Sequence, residues 1–553
     1  MTLRLAQFGR AATAATAAVA LLAVDAGSSV ARVETAADPA VTASAGHRTS
    51  VLAAGQVDAP IPALQWRACN DGTGLRCARA DVPLDYDRPL GETISLKLVK
   101  RVATPESGQP KIGTLFVNPG GPGGPSSGVV SIFARLLGDR VRQRFDVIGI
   151  DPRGIGGSAP VRCRIADAAP PYPRRAFPMT AREVSSRLRF DRYLRKSCRQ
   201  GGNTILDHMT TADTARDMDL IRQAVGDEKL SYYGVSYGTY LGATYAAMFP
   251  DRVRAVIADG VLDPVAWATG RNGAGTREPF SARLGSGYGA SEAMTSALEV
   301  CDRVGKTRCA FAGDALTKWR RLMNRFRQGP VRLSDGYLLH YADIVSYTLG
   351  GLYNRASYRP LMRDLLDLYR MTFGQTTATA AYGPSDSSRL RDRMAERERA
   401  VPYASYGPGF SPGFEAVACA DTVNPDDPEA WVAAGVRADR RGPWFGRLWT
   451  WVSSPCARWP GSDSDAYRGP FRRTTASPVL IVGNAHDPAT PVSGAYALHR
   501  LLGNSRMFTL NTWGHGAIGE SRCVTNRFSA YLISGALPPQ GSVCQANRAL
   551  YPR

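Results

Sequence analysis

Gly234-Val-Ser-Tyr-Gly238 stands between a short apolar run, Leu230 to Val235, and a helix-compatible stretch, Tyr237 to Phe249. A G-x-S-x-G at a strand-to-helix turn forms a nucleophile elbow, in which the flanking glycines make room for a sharp turn that lifts the serine hydroxyl clear of the sheet. Ser236 is therefore the candidate nucleophile.

Chemistry of this type needs an acid at the end of a later strand and then a histidine near the C-terminus. Pro478-Val-Leu-Ile-Val482 reads as a buried parallel strand, and Gly483-Asn-Ala-His-Asp487 follows it, which makes Asp487 the candidate acid. Arg506 to Leu510 is a further strand, and Thr512-Trp-Gly-His515-Gly lies just beyond it. His515 is the candidate base. The chain has only six histidines. His47, His208 and His340 have no strand-end context, and His499 falls in a helical pattern, Val492 to Leu502. His486 competes with His515, but its adjacency to Asp487 makes it the acid's neighbour. Asp259, at the end of the strand Ala255–Asp259, is an alternative acid.

Upstream, the strand Leu115–Val117 runs into Asn118-Pro-Gly-Gly-Pro-Gly-Gly124, where glycines let backbone N–H groups approach a substrate oxygen. The expected oxyanion donors are the backbone of Gly121 or Gly120 and that of Tyr237, the residue after the nucleophile. Another strand, Phe145–Ile150, ends in Asp151-Pro-Arg-Gly-Ile-Gly-Gly-Ser158 at the same edge of the sheet, where active sites of open parallel sheets collect.

These segments, together with Thr210-Thr-Ala-Asp-Thr-Ala-Arg-Asp-Met-Asp219, Tyr233 to Gly242 and Phe249-Pro-Asp-Arg-Val253, resemble the secreted tripeptidyl aminopeptidases of actinobacteria. Those enzymes are relatives of the proline iminopeptidases within the α/β-hydrolases. The resemblance runs from about Trp66 onward. It implies an α/β-hydrolase fold with a mostly parallel central sheet and an inserted helical lid. It also implies release of short peptides, tripeptides in the namesake enzymes, from free N-termini through an acyl-enzyme, with no cofactor and no metal. An esterase or amide hydrolase acting on a small molecule is the alternative reading, and an inactive hydrolase-fold binding protein is the remote one. Proline iminopeptidases carry a histidine where this chain has Pro119, so that residue's polar contacts are missing here.

A peptidase that reads a free N-terminus must pair the substrate ammonium with a carboxylate, because an unpaired buried ammonium is strongly penalised. Glu415 and Asp421, flanking Cys419, are the candidates. The ten cysteines suit an exported, disulfide-bonded chain. Local clustering and the resemblance together imply the pairs Cys69–Cys77, Cys163–Cys198, Cys301–Cys309, Cys419–Cys456 and Cys523–Cys544.

The remaining features set bounds. Arg4 and Arg10 precede an alanine-rich apolar stretch, Ala11 to Val24, that is too short to span a bilayer and reads as a signal peptide. Cleavage is expected after Ala26, with Ala31 as the alternative, so the mature protein would be secreted without stable membrane insertion. Residues 27–60 read as a linker or propeptide. The sheet core spans 61–264 and resumes over 476–553, with the mostly helical lid between them at 265–475. Helical patterns there cover Ser291–Val304, Asp314–Phe326, Tyr341–Leu352 and Tyr358–Phe373, with loops over Gly374–Ser388 and Tyr403–Gly413. The formal net charge of +20 comes almost wholly from arginine and has no dense basic run, which speaks against a nucleic-acid partner.

Overall fold

The computed structural model describes residues 57–553 apart from 71–72, 107, 165–169, 172, 202–203, 375–382, 400–411 and 463. The expected signal peptide and all but the end of the 27–60 segment lie outside the described residues.

Twelve strands are described: β1 (Arg67–Ala68), β2 (Arg76–Pro83), β3 (Thr93–Arg101), β4 (Gly113–Asn118), β5 (Phe145–Ile150), β6 (Leu230–Val235), β7 (Val253–Asp259), β8 (Val331–Arg332), β9 (Leu338–Leu339), β10 (Val479–His486), β11 (Ser505–Trp513) and β12 (Val543–Gln545). Ten of them form one sheet in the order β1-β2-β3-β5-β4-β6-β7-β10-β11-β12. From β5 to β12 every neighbouring pair is parallel. The first three strands form an antiparallel flank on β5.

The central strands are apolar on both faces. Phe116, Ile148, Tyr232 and Ile481 face one core cluster, while Val117, Val147, Tyr233 and Val482 face the other. Such two-sided burial is what parallel strands sandwiched between helices require, and it explains their continuous hydrophobic runs. The helix Tyr237–Met248 behind the elbow is buried along its whole length. It is rich in small residues, and Gly242 lets it approach the Tyr232 ring: a Cβ there would come within 2.9 Å of that ring.

The glycine turn after β5 is held from beneath by a buried ion pair. Arg153, wholly buried, donates to both carboxylate oxygens of Asp217 and to the carbonyls of Pro83, Leu84 and His208. Removing one partner of such a pair costs about 3–5 kcal/mol. Asp217 lies on the helix Thr211–Ala224, which Thr210 caps by accepting the Asp213 N–H. Gly226, at a φ of +82°, ends the turn after this helix before β6.

Between β7 and β10 the chain is mostly helical, with the small β8–β9 hairpin added. The helices Ser286–Val304, Ala315–Arg327, Tyr341–Leu352 and Tyr358–Phe373 fall where their periodicity put them. The expected loops are partly corrected. Pro384–Ser388 opens the helix Pro384–Arg399, and Gly413 opens Gly413–Asp421, while most of both remaining stretches lies outside the described residues. Five disulfides join the neighbouring cysteines named above.

Candidate active site

Ser236 sits at φ 60°, ψ −125°, a backbone conformation that a residue with a side chain adopts only where its surroundings enforce it. They do so here. A Cβ on Gly234 would lie 2.4 Å from the Gly238 carbonyl oxygen, and one on Gly238 would lie 2.9 Å from Asn118 Oδ1. The Ser236 N–H donates to the Asp259 carbonyl at 3.0 Å, tying the elbow to the end of β7. Val235 and Tyr237 on either side are buried, and Ser236 alone is partly exposed. As the first residue of its helix, Tyr237 has an N–H outside the intrahelical ladder, at the positive end of the helix dipole.

The candidate acid and base meet just past the ends of β10 and β11. His515 Nδ1 lies 3.0 Å from both carboxylate oxygens of Asp487. The Asp487 carboxylate also accepts the N–H groups of Ala489 and Thr490 at 2.9 Å and the Thr490 hydroxyl at 3.0 Å. A carboxylate can only accept from the imidazole, so the ring proton belongs on Nδ1 and Nε2 is left as a base. Burial would lower the His515 pKa, but the charge and hydrogen bond of Asp487, with a smaller contribution from Asp259, raise it above the usual value.

Three further residues hold the histidine loop. Asn484, fully buried on β10, donates both amide hydrogens to it, to the carbonyls of Gly514 at 2.9 Å and Gly516 at 2.7 Å. Asp259 accepts the N–H groups of Ala517 at 2.7 Å and Ile518 at 3.1 Å, as well as the Tyr233 hydroxyl at 2.7 Å. Asp259 thus grips the backbone of the loop, and the ring belongs to Asp487. Burial pushes the Asp259 carboxyl up to about 6 against those three donors. From the inserted region, the Tyr353 carbonyl accepts the His515 N–H at 2.8 Å and its ring packs edge-on at 5.4 Å. Gly516 brings the loop onto the elbow, since a Cβ there would sit 3.4 Å from Val235. His486 faces away: its Nδ1 lies 2.7 Å from Glu292, and its ring stacks on Trp513.

The glycine turn after β4 lies directly against the elbow, for a Cβ on Gly120 would meet the Val235 carbonyl at 2.5 Å and Ser236 Cβ at 2.9 Å. The Gly120 N–H, however, donates to Asn118 Oδ1 at 2.9 Å, which removes it as an oxyanion donor. Gly121 lines the pocket that opens at Ser236. This pocket is walled by Trp267, Phe280, Leu284, Phe414 and Trp449, and its described lining includes no charged side chain.

Of the two acids expected at the substrate amine, both are buried on the helix Gly413–Asp421. Glu415 follows Phe414, a pocket residue, in the first turn. Asp421 has a different task. Its Oδ1 accepts the Thr211 N–H at 2.8 Å and its Oδ2 the Thr211 hydroxyl at 2.6 Å, with the Trp267 indole N–H at 3.4 Å. With 2 % exposure and both oxygens engaged by protein donors, it is not placed to meet a substrate ammonium. Burial pushes its carboxyl up to about 7, against the donors of Thr211 and Trp267 and the charge of Arg468.

Sequence reasoning missed Asn484, Tyr353, Thr211 and the pocket aromatics. Asn484 was within reach, as a polar residue at a buried strand position three residues before the acid. Tyr353, Trp267 and Trp449 carry no local motif.

Comparison with known proteins agrees with this fold. Residues 113–279 match the family model described as alpha/beta hydrolase fold, and residues 442–544 match that of TAP-like protein. The chain is 30% identical over 505 residues to a protein of Streptomyces coelicolor named tripeptidyl aminopeptidase, covering 87% of this chain and 86% of that one. It is 30% identical over 512 residues to the serine protease Hip1 of Mycobacterium tuberculosis, covering 87% and 91%. It is also 31% identical over 508 residues to a protein of the same organism named carboxylesterase B, covering 88% and 91%. A chain with this elbow, this sheet and relatives matched over nearly nine-tenths of its length belongs to the tripeptidyl aminopeptidase family of α/β-hydrolase-fold serine hydrolases.

Proposed function

We propose that the protein is an exported serine aminopeptidase that releases short peptides, most simply tripeptides, from free N-termini, with Ser236, His515 and Asp487 as its catalytic residues. The observation that carries this reading is the Asp487–His515 pair, locked in one tautomer and braced against the elbow of Ser236.

Neutral His515 takes the Ser236 proton at Nε2 as the hydroxyl oxygen attacks the scissile carbonyl, while Asp487 holds Nδ1–H and stabilises the imidazolium that forms. The Tyr237 and Gly121 N–H groups receive the oxyanion. The imidazolium returns its proton to the departing amine, and water, activated by the same imidazole, then releases the peptide acyl group. The residue supplying the carbonyl places its side chain in the aromatic pocket, whose uncharged lining suits an apolar group. Glu415, beside Phe414, is the proposed partner of the substrate ammonium. The five disulfides support an extracellular setting.

The test is hydrolysis of one chromogenic tripeptide amide with a free and with an acylated N-terminus, by the wild type and by Ser236→Ala and Glu415→Gln. Cleavage of the free form alone, lost by several orders of magnitude in Ser236→Ala and with the free-to-blocked ratio reduced in Glu415→Gln, is the expected result. Equal cleavage of both forms, or of simple esters only, would move the protein to the esterase reading, which the carboxylesterase name of one relative and the uncharged pocket also accommodate.

A further inference from the structure

The segment Thr210–Asp219 does more than build a helix. Thr210 caps it and Asp217 anchors Arg153, but Thr211, almost wholly buried, turns toward the active site. Its hydroxyl has one proton, which goes to the carboxylate of Asp421 at 2.6 Å. The Tyr237 hydroxyl lies on the same Thr211 oxygen and must therefore be the donor to it. Burial, and then the charge of Asp421, keep that phenol protonated by pushing its pKa well above the ordinary value.

Asp421 consequently holds two walls of the site at once. Through Thr211 it reaches Tyr237, the first residue of the helix after Ser236, whose backbone N–H lies outside the intrahelical ladder. Through Oδ2 it reaches the indole of Trp267, which lines the pocket and packs 5.7 Å from the Tyr237 ring. The same helix that ends in Asp421 carries Phe414, another pocket residue, in its first turn. A carboxylate serving only as glue would not need its donors to come from the oxyanion residue's own partner and from the pocket wall.

We propose that Asp421 is a positioning residue that, through Thr211, sets the Tyr237 N–H against the developing oxyanion and fixes Trp267 in the pocket wall. The inference rests on the reading of Ser236 as nucleophile and of Tyr237 as oxyanion donor. A small displacement of a donor matters because stabilisation is concentrated where charge develops.

Thr211→Val removes the hydroxyl, Thr211→Ser restores it, and Tyr237→Phe removes the phenol but keeps the N–H. Each variant of the full chain is assayed on the free-amine chromogenic tripeptide, with active sites counted by a fluorophosphonate and folding followed by thermal melting. Thr211→Val and Tyr237→Phe are each expected to lower kcat per titrated site about 10- to 100-fold with KM changed less than about threefold. Thr211→Ser should recover most of the rate. The double variant Thr211→Val/Tyr237→Phe should be no slower than the slower single one, since both break one chain of bonds.

Unchanged kcat in Tyr237→Phe, additive losses, or equal losses in Thr211→Val and Thr211→Ser would overturn the proposal. So would a loss confined to KM for free-amine substrates, which would return Asp421 to the substrate ammonium. If Thr211→Val fails to fold, Tyr237→Phe alone decides. Ser236→Ala separates the two readings. An inactive Ser236→Ala beside an unaffected Tyr237→Phe defeats only this inference, whereas an active Ser236→Ala defeats the nucleophile assignment itself.

Discussion

The neighbouring strands β7 and β10 each lead to a buried aspartate that meets the histidine loop, Asp259 as the last residue of β7 and Asp487 just past the end of β10, yet the two carboxylates make different contacts. Asp487 meets the imidazole with both oxygens at 3.0 Å. Asp259 meets only backbone N–H groups of the same loop and the Tyr233 phenol. A strand end therefore offers a place for an acid without specifying its role. The role follows from whether the loop turns its ring or its peptide groups toward that end, and here Asn484 and the Tyr353 carbonyl decide it by holding residues 514–516.

The largest effect expected from breaking this comparison is at Asp487. Asp487→Asn keeps the volume but offers the ring a donor as well as an acceptor, which allows the wrong tautomer, and kcat should fall about 10⁴-fold, measured by steady-state peptide hydrolysis. Asp259→Asn leaves the tautomer alone. It replaces an acceptor of three donors by a group with one acceptor oxygen, so the loop loses a fixing point. A kcat loss of about 10- to 100-fold is expected, with a fall in stability of about 1–3 kcal/mol on chemical denaturation. Equal kcat losses in the two variants would mean that both carboxylates serve the ring.

The pH profile sharpens the same contrast. In the proposed mechanism His515 acts as a neutral base, so kcat/KM should fall as pH drops through its pKa. Burial lowers that pKa, but Asp487 first and Asp259 last raise it, so the acid limb should lie above the ordinary histidine value near 6.5. Removing Asp487's charge leaves the lowering effect of burial, and the limb of the residual activity should move to lower pH. In Asp259→Asn it should move the same way by less. A limb that stayed in place in Asp487→Asn would show that another group controls it.

The elements of the candidate site were legible because each sits in a stretch with its own local signature. Gly234 and Gly238 mark the elbow because no Cβ fits there. Asp487 and His515 follow runs whose apolar character betrays buried parallel strands. The antiparallel β2 and β3 were not recognised because alternating runs such as Arg76–Pro83 bury only every second residue. The pocket was illegible for a different reason. Trp267, Phe280, Phe414 and Trp449 come from separate helices, and only the packing of the insertion brings them to Ser236. For Asp421 the sequence shows an acid near a site but not that Thr211, 210 residues away, donates to both its oxygens.

His486 supplies the smallest expected effect and the strictest control. It is adjacent to the acid, it is a histidine, and on sequence alone it competes for the role of base. Its position on a strand end sends consecutive side chains to opposite sides, so when Asp487 points at His515, His486 points at the helix Ser286–Val304. There its Nδ1 meets Glu292, and its ring lies flat on Trp513 at 4.4 Å. His486→Asn should accordingly leave kcat within about threefold of wild type, the change expected for a contact that is partly exposed and remote from the reacting atoms. A loss comparable with that of Asp259→Asn would mean that the His486–Glu292 contact also holds the insertion over the pocket, and the braces on the histidine loop would then have to include one from outside the sheet that acts through Trp513.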